Sequence, residues 1–197
     1  IGNVYSFSSQ NMELVLLKTP YNNNTNNKEI VKLVIDKKDK LWMATELYGL
    51  FQYDIEKKKF KELNYPTKKS KHPMYLSLYC DSDNYIWAGT DGDGLYKIDS
   101  KNDSIYKYRH AKANRFSVSD NSINHINEDS FGNLWLVDKK GVVNILPFNN
   151  SEIKYYSGST NNIPTVSLSI LKTSDKSLWI GTDGEGITRV FPDKTTK

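Results

Sequence analysis

Short apolar runs alternate with clusters of polar turn residues along the chain, and one phrase recurs within the runs. The phrase reads apolar-Trp-apolar-small and accounts for every tryptophan in the sequence: Trp42, Trp87, Trp135 and Trp179. Successive tryptophans are separated by 44 to 48 residues. A nearly constant period of this length predicts a fold built from repeated structural units.

The second repeat shows the unit most clearly. Its apolar runs predict four strands, separated by clusters rich in Asp, Asn, Ser and Gly: Tyr75–Cys80, Tyr85–Thr90, Leu95–Asp99 and Ile105–Tyr108. Four short strands joined by tight turns form an antiparallel meander. Meanders repeated around an axis are the blades of a β-propeller. We therefore predict an all-β fold, a β-propeller fragment of about four blade units, each a four-stranded antiparallel meander.

The other repeats predict the same strands at equivalent places. These strands lie near Ile30–Ile35, Leu41–Thr45, Leu50–Asp54, Phe60–Asn64, Ser122–Asn127, Leu134–Val137, Val142–Leu146, Glu152–Tyr156, Val166–Leu171, Leu178–Thr182 and Ile187–Phe191, with Gly2–Phe7 and Met12–Lys18 before them.

The strand order predicts one partial propeller over residues 1–197. It comprises the last two strands of a blade (1–18), three whole blades (30–65, 75–109 and 122–157) and the first three strands of a further blade (164–191). Because the two end pieces do not add up to one blade, we expect the sequence to be a piece of a larger ring.

Each tryptophan is predicted to be a structural anchor. Propeller sheets stack face to face, so their inner strands are buried on both sides and lose the polar alternation of a half-exposed strand. A small residue follows two positions later, as Ala44 follows Trp42, and fits a wedge that narrows toward the axis. An indole buries on the order of 200 Å², so each tryptophan is expected to hold one blade on the next. The alternative is a platform on which a ligand stacks.

Composition and charge narrow the functional classes. The net charge is +4, but the basic residues are mostly Lys, with Arg only at Arg109, Arg115 and Arg189. Since Arg supplies the bidentate contacts of nucleic-acid surfaces, we expect no nucleic-acid binding. Cys80 is the only cysteine, which excludes an internal disulfide and predicts an inert core thiol. The longest N-terminal apolar run is far shorter than the ~20 residues of a membrane span, and no signal peptide is visible.

The most polar recurring feature is the turn between the second and third strands of each unit. In a propeller these turns lie at the mouth of the central channel, where their charged groups could bond sugar hydroxyls or a partner surface. The candidate ligand-binding residues are Glu46, Tyr48, Asp91, Asp93, Lys139, Lys140, Asp183 and Glu185. The alternative is ordinary hairpin chemistry, since Asp and Gly are the residues that tight turns require.

No set of residues predicts catalysis, a metal or a cofactor. Residues 91–94, Asp-Gly-Asp-Gly, suggest a calcium loop, but the distal ligand of such a loop is absent. The histidines, His72, His110 and His125, lack ligand-like spacing. We therefore expect a chain that is not an enzyme and holds neither metal nor cofactor. A propeller lyase is an alternative, and a cluster of His110 or His125 with carboxylates would support it.

Two stretches carry a resemblance to a known family. Residues 129–136 read Asp-Ser-Phe-Gly-Asn-Leu-Trp-Leu, and residues 178–187 read Leu-Trp-Ile-Gly-Thr-Asp-Gly-Glu-Gly-Ile. They resemble the two-component regulator propeller repeat, whose pattern is Asp-x-x-Gly-Asn-Leu-Trp-Ile-Gly-Thr, a short turn, then Gly-Gly-Leu. Three repeats depart from this pattern. Asp39 and Lys40 replace Gly-Asn in the first, Val137 and Asp138 replace Gly-Thr in the third, and Thr173 replaces the leading Asp in the fourth.

The resemblance implies a parent protein. Such repeats form the periplasmic sensor of hybrid two-component histidine kinases, common in gut Bacteroidetes and often tuned to polysaccharides or their breakdown products. We expect a non-enzymatic ligand-sensing module, the periplasmic part of an inner-membrane protein whose kinase domains lie outside this sequence. Its expected partners are the rest of the parent propeller and kinase chain, a second copy in a homodimer, and an oligosaccharide. The alternative is a structural scaffold or dimerisation segment without its own ligand site.

Overall fold

The structure is a computed structural model that describes residues 4–8, 13–17, 30–45, 49–63, 73–156 and 166–191. These ranges contain seventeen β-strands and no helix. The chain divides into two compact units, Ile1–Tyr75 and Leu76–Lys197. Within each sheet, the strands pair with their neighbours in chain order.

The first unit contains a two-stranded hairpin and a four-stranded sheet. The hairpin pairs β1 (Val4–Ser8) with β2 (Glu13–Leu17) in antiparallel register. The sheet, which we call the first blade, consists of β3 (Ile30–Ile35), β4 (Lys40–Thr45), β5 (Leu50–Asp54) and β6 (Lys59–Glu62).

Three further sheets follow, beginning at the boundary of the second unit. The second blade consists of β7 (Tyr75–Cys80), β8 (Tyr85–Thr90), β9 (Leu95–Asp99) and β10 (Ile105–Tyr108). The third blade consists of β11 (Ile123–Glu128), β12 (Leu134–Asp138), β13 (Val143–Leu146) and β14 (Lys154–Tyr156). The fourth blade has three described strands, β15 (Ser167–Lys172), β16 (Leu178–Thr182) and β17 (Ile187–Val190).

The predicted fold class, an all-β propeller fragment made of antiparallel meanders, is confirmed. Most strand ends match the prediction, and the others differ by one or two residues. The clearest difference is β14, predicted from Glu152 but observed from Lys154. Its neighbour Ile153 donates its backbone N–H to the Phe116 carbonyl at 2.9 Å instead of joining the ladder. The predicted blade boundaries include residues outside the described ranges and stay predictions.

An aspartate organises the turn between the first and second strands of a blade. In the second blade, Asp81 Oδ1 accepts the backbone N–H groups of Asp83 and Tyr85 at 3.0 and 2.8 Å. Its Oδ2 accepts the indole N–H of Trp87 at 2.7 Å. Equivalent indole bonds measure 2.9 Å from Trp42 to Asp36 and 3.0 Å from Trp135 to Asp129. The leading Asp of the repeat therefore shapes the turn and satisfies the buried indole at once.

Three of the four tryptophans are buried as predicted, and the fourth is not. Trp42, Trp87 and Trp135 expose between 0% and 6% of their surface, whereas Trp179 exposes 36%. Trp179 lies on the face of the fourth blade that also carries Leu171, its direct neighbour across β15 and β16. Leu171 is 62% exposed, so among the described residues nothing covers this face. The anchor role predicted for Trp179 is therefore not realised within the described part of the chain.

The core of the second unit lies between successive sheets. Trp87 and Leu95 of the second blade cluster with Ile126, Leu134 and Leu136 of the third. The third and fourth blades pack together in the same way, through a second cluster of residues: Trp135, Val137, Val143, Ile170, Leu178, Ile180 and Val190. The tryptophan face of one blade thus packs on the leucine and isoleucine face of the next, which is how a propeller buries both sides of its sheets.

The small residue of the repeated phrase allows the blades to approach each other. A Cβ placed on Gly89 would overlap the Ser77 hydroxyl oxygen and the Ile123 carbonyl oxygen. Ser77 donates its hydroxyl to the same Ile123 carbonyl at 3.0 Å, joining the second blade to the third. Gly89 is therefore required for close approach, because even one methyl group would collide with backbone atoms.

Candidate functional site

The turns between the second and third strands carry the predicted binding residues. In most of these turns, a threonine hydroxyl donates the same hydrogen bond across the turn. Thr90 donates its hydroxyl to the Gly94 carbonyl at 2.7 Å, and Thr182 donates to Gly186 at 2.8 Å. In the third blade Asp138 takes this place and accepts the backbone N–H groups of Lys140 and Val142. We call these turns of the second unit the rim. Glu46 and Tyr48 of the first unit, also predicted to bind, lie outside the described residues.

The rim brings two of the predicted residues together across neighbouring blades. Lys139 Nζ lies 3.3 Å from Asp91 Oδ2. Asp91 Oδ1 also accepts the Ser122 hydroxyl at 2.9 Å, and that hydroxyl oxygen accepts the Gly92 backbone N–H at 2.9 Å. The Lys139 side chain is mostly exposed, so this ion pair meets solvent.

Asp93 is held by cations of its own blade. Lys107 Nζ lies 2.7 Å from Asp93 Oδ1, and Arg109 Nη1 lies 3.6 Å from the same oxygen. The Tyr96 hydroxyl also donates to this carboxylate. Partial burial raises the pKa of Asp93, but the hydrogen bonds from Lys107 and Tyr96 outweigh it and hold the pKa below its ordinary value. Asp93 is thus ionised and stabilised by its neighbours.

Lys140 forms a separate pair, with Asp120 in the segment that leads into the third blade. The two charged groups are 2.9 Å apart. The hydrogen bond to Asp120 raises the pKa of Lys140. Burial raises the pKa of Asp120, yet the bond from Lys140 and the backbone N–H of Ser122 bring it below the ordinary value.

The predicted residues of the fourth blade stand apart from these pairs. Asp183 and Glu185 are exposed. The Asp183 backbone N–H donates to the Val166 carbonyl at 3.0 Å, and that of Glu185 donates to the Thr182 hydroxyl at 3.1 Å. Within the described ranges, no ion pair or hydrogen bond joins the Asp183 side chain to Asp91 or Lys139. The rim therefore assembles its charges pairwise and does not gather them around one point.

The described residues contain no group of three or more His, Cys, Asp or Glu side chains that could hold a metal ion. His110 Nδ1 lies 2.8 Å from the Val118 carbonyl oxygen, so its ring faces backbone. His72 lies outside the described residues. Among the residues that the structure describes, no cluster of histidine and carboxylates of the kind that would support a lyase forms around His110.

A groove opens between the second and third blades, at the strand ends opposite the rim. It encloses about 410 Å³. Its floor is formed by Trp87, Leu134 and Leu146, and the exposed ring of Phe148 forms a wall. Polar side chains surround the opening: Asp83, Lys97, Tyr108, Asn149, Asn150 and Ser151.

The equivalent groove between the third and fourth blades is almost closed, with about 10 Å³. Phe131 stands there in the turn position that Asp83 holds in the second blade, and Lys176 stands where the third blade has Gly132. Gly132 has a φ of +82°, and a Cβ on it would lie 2.8 Å from the Phe148 ring. At these two turn positions, the open groove thus carries smaller residues than its equivalent between the third and fourth blades.

The groove residues were not among the sequence candidates. Residues 81–84, Asp-Ser-Asp-Asn, were interpreted only as a turn between strands, and Lys97 only as a strand residue. The available signal is the difference between repeats: Asp83 and Gly132 are smaller than Phe131 and Lys176 at the equivalent positions.

Comparison with known proteins bears on the repeat and on the fold. Residues 70–92 match the family model of the two component regulator propeller. No curated protein matches the chain in a sequence search. Within the described ranges, no helix has the length and apolar character that a membrane crossing requires.

Several solved structures share the fold. The extracellular domain of BT4673, assigned to a hybrid two-component system of B. thetaiotaomicron, is 19% identical with a TM-score of 0.57, and the match covers 100% of this chain and 32% of that one. PorZ, a surface component of the type-IX secretion system of Porphyromonas gingivalis, is 13% identical with a TM-score of 0.72, over 98% and 30%. A catalytically inactive virginiamycin B lyase from Staphylococcus aureus, solved with quinupristin, is 18% identical with a TM-score of 0.63, over 84% and 53%.

At these identities the likeness shows the fold alone. The chain spans about a third of the sensor domain and of PorZ, and about half of the lyase. The sequence resemblance is confirmed where the family model matches, across the strand that carries Trp87. Residues 70–92 thus resemble the two-component regulator propeller repeat, within a chain that has the fold of a propeller segment.

Proposed function

We propose that this chain is a ligand-sensing segment of the extracytoplasmic propeller of a hybrid two-component histidine kinase. The observation that carries the proposal is the match of residues 70–92 to the two-component regulator propeller repeat. The surrounding blades repeat the same phrase around Trp42, Trp135 and Trp179. In this proposal the segment is periplasmic, belongs to an inner-membrane protein and performs no catalysis itself.

The proposed ligand is derived from a polysaccharide and contacts the rim. The rim presents both carboxylates and ammonium groups, which together suit hydroxyl groups that donate and accept hydrogen bonds. An exposed ion pair such as Asp91–Lys139 contributes only about 0–1 kcal/mol, so sugar hydroxyls can replace it at little cost. Ligand binding would then favour one of two arrangements of paired sensor chains and change the kinase output by a population shift.

Titration calorimetry of the 197-residue chain against neutral and acidic oligosaccharides tests this proposal. We expect at least one sugar to bind, and the double variant Asp91→Ala/Lys139→Ala to weaken that binding. The matched control, Glu56→Ala/Lys59→Ala, removes the same two charges from an exposed hairpin of the first blade and should leave binding unchanged. Silence across the whole panel would contradict a sensing role for this segment.

A second candidate function is a dimerisation segment, and the exposed face of the fourth blade favours it. Leu171 and Ile187 expose 62% and 68% of their surface beside the partly exposed Trp179. The equivalent face of the second blade is covered by the third, and that of the third by the fourth. We propose that a second copy of the chain covers this face, in a homodimer.

Sedimentation velocity over a range of protein concentrations tests the dimer. We expect a dimer that the double variant Leu171→Lys/Ile187→Lys weakens, because charge on both sides of a two-fold contact opposes association. The control Ile55→Lys/Met74→Lys changes two other exposed apolar side chains and should not weaken it. A wild-type chain that stays monomeric at high concentration would refute the homodimer.

A further inference from the structure

We propose that the groove between the second and third blades is a binding site for a short neutral oligosaccharide, separate from the rim. The ligand class rests on the proposed function, whereas the site is new. The groove opens at the ends of the strands that carry the β7–β8, β11–β12 and β13–β14 turns. In an antiparallel meander this end is opposite the rim, so one ligand molecule cannot fill the groove and also contact the rim.

The size of the groove suits a small molecule. Its volume of about 410 Å³ lies within the range of about 300–1,000 Å³ that is typical of ligand sites in proteins. The equivalent groove one blade later is forty times smaller, with about 10 Å³. At the equivalent turn positions the smaller groove carries Phe131 and Lys176 where the larger one has Asp83 and Gly132, which accounts for part of the difference. The residues of the fourth blade equivalent to 148–151 lie outside the described ranges.

The groove offers hydrogen-bonding groups that are not already used. Within the described part of the chain, the Asp83 carboxylate and the Lys97 ammonium have no ion-pair partner, and the side chains of Asn149 and Ser151 make no hydrogen bond. Lys97 Nζ instead lies 3.8 Å from the centroid of the Tyr85 ring. A ligand can therefore bond to these groups without first breaking an ion pair or a hydrogen bond inside the protein, although Lys97 Nζ also lies 5.2 Å from the centroid of the Trp87 ring.

Tyr108 adds a donor of fixed protonation. Burial, followed by the nearby Tyr106, raises the pKa of its hydroxyl, so the group stays protonated and can donate. Its ring lies against Trp87, with ring centroids 5.8 Å apart. An apolar floor with donors and acceptors around it fits a sugar, which presents C–H groups on the faces of its ring and hydroxyls at the edges.

The charge of the lining excludes acidic sugars. Three carboxylates face the groove, those of Asp81, Asp83 and Glu128, against the single ammonium of Lys97. Asp81 and Glu128 are buried and already accept hydrogen bonds, Glu128 from the backbone N–H of Ser82 at 2.8 Å and from its hydroxyl. Carboxylates at these positions would repel a uronic acid or a sulfated sugar. A neutral sugar avoids this repulsion and still uses Asp83 and Lys97.

A substitution that should close the groove can be taken from the equivalent turn of the third blade. Asp83→Phe copies Phe131, and the backbone N–H of each residue donates to the turn aspartate in the same way, at 3.0 and 2.8 Å. The substitution is thus compatible with the turn. The matched control is Lys38→Phe, at the same turn position of the first blade, where Lys38 is exposed and donates to Asp36. A second groove variant, Lys97→Met, removes the ammonium without adding bulk.

The test is calorimetric titration of the 197-residue chain with cellobiose, maltotriose, mannobiose and digalacturonate, with circular dichroism and thermal melting of every variant. We expect at least one neutral sugar to bind, with a loss of more than tenfold in affinity in Asp83→Phe and a smaller loss in Lys97→Met. Affinity should be unchanged in Lys38→Phe and in Glu56→Ala/Lys59→Ala, and digalacturonate should bind more weakly. If Asp83→Phe does not fold, Lys97→Met decides.

Three results would overturn the proposal. Binding that survives both groove variants but is lost in the rim variant Asp91→Ala/Lys139→Ala would place the ligand at the rim, and the proposed function would stand without this site. Tighter binding of digalacturonate than of every neutral sugar, weakened by Asp83→Phe, would refute the ligand class. Absence of binding to any neutral sugar by the folded wild-type chain would refute the groove as a saccharide site.

Discussion

The Asp81 carboxylate accepts the indole N–H of Trp87 at 2.7 Å, although the two residues lie in a turn and in the strand that follows it. The other oxygen of the same carboxylate accepts two backbone N–H groups of the turn. One side chain therefore joins the local geometry of the turn to the packing of the largest side chain in the blade. The first and third blades repeat this arrangement, and the fourth, with Thr173 at the aspartate position, does not.

We predict that Asp81→Ala lowers the free energy of unfolding by about 2–3 kcal/mol, because it leaves the buried Trp87 N–H and two turn N–H groups without their acceptor. Thr173→Ala at the equivalent position should cost less than about 1 kcal/mol, since the Trp179 indole reaches solvent. Urea unfolding followed by tryptophan fluorescence measures both. Equal losses in the two variants would show that the indole bond has no particular role.

Truncation of the tryptophan should also destabilise the second blade more than the fourth. Trp87→Ala removes an indole that exposes 2% of its surface and should cost about 3–5 kcal/mol. Trp179→Ala should cost less than half as much, because 36% of that residue is exposed and its neighbours across the sheet are Leu171, which is itself exposed, and Arg189, whose guanidinium lies 5.2 Å from the ring. Thermal and urea unfolding of the two variants give the comparison. A larger loss for Trp179 would mean that its face is covered in solution.

The glycine two positions after the tryptophan, Gly89 or Gly181, should tolerate substitution only where the neighbouring atoms can move. In Gly89→Ala the new methyl group meets the Ile123 carbonyl, a backbone atom, so we expect a loss of about 1–3 kcal/mol. In Gly181→Ala it meets only the Ser169 hydroxyl oxygen, at 2.8 Å, and that side chain can rotate away. The melting temperature should therefore fall more in Gly89→Ala, and the reverse order would contradict the close approach of β8 and β11.

The fold could be predicted from the sequence because its determinants are local and repeated. The phrase around each tryptophan, the Asp and Gly of the turns and the spacing between repeats all indicate the same meander. The strand β8 was predicted with both ends correct, Tyr85–Thr90. The double role of Asp81 was not foreseen, since the pattern alone interprets this aspartate as a turn residue.

The site depends on contacts between blades, which the sequence pattern does not contain. Asp91 and Lys139 lie 48 residues apart in the chain, and they pair because equivalent turns of adjacent blades are neighbours in space. Both were predicted as binding residues, yet their mutual ion pair was not. The groove required a comparison of Asp83 with Phe131 after the fold had placed both at equivalent positions.

The pairing of Asp93 predicts a dependence of stability on pH. Its pKa in the folded chain lies below the ordinary value of 3.8, because the bonds from Lys107 and Tyr96 outweigh the effect of burial. A carboxyl whose folded pKa is lowered stabilises the folded state above its unfolded pKa, and this contribution is lost as the pH falls through the folded pKa. Asp93→Asn should therefore be less stable than the wild type at pH 7, by about 0.5–1 kcal/mol for a partly exposed pair. The difference should shrink as the pH falls below 3.8.

A second variant, Lys107→Met, removes the principal hydrogen-bond donor to Asp93 but keeps the carboxyl. It should flatten the same part of the curve of stability against pH. Urea unfolding at a series of pH values measures all three proteins, and a difference between wild type and Asp93→Asn that grows toward acid pH would contradict the assigned direction.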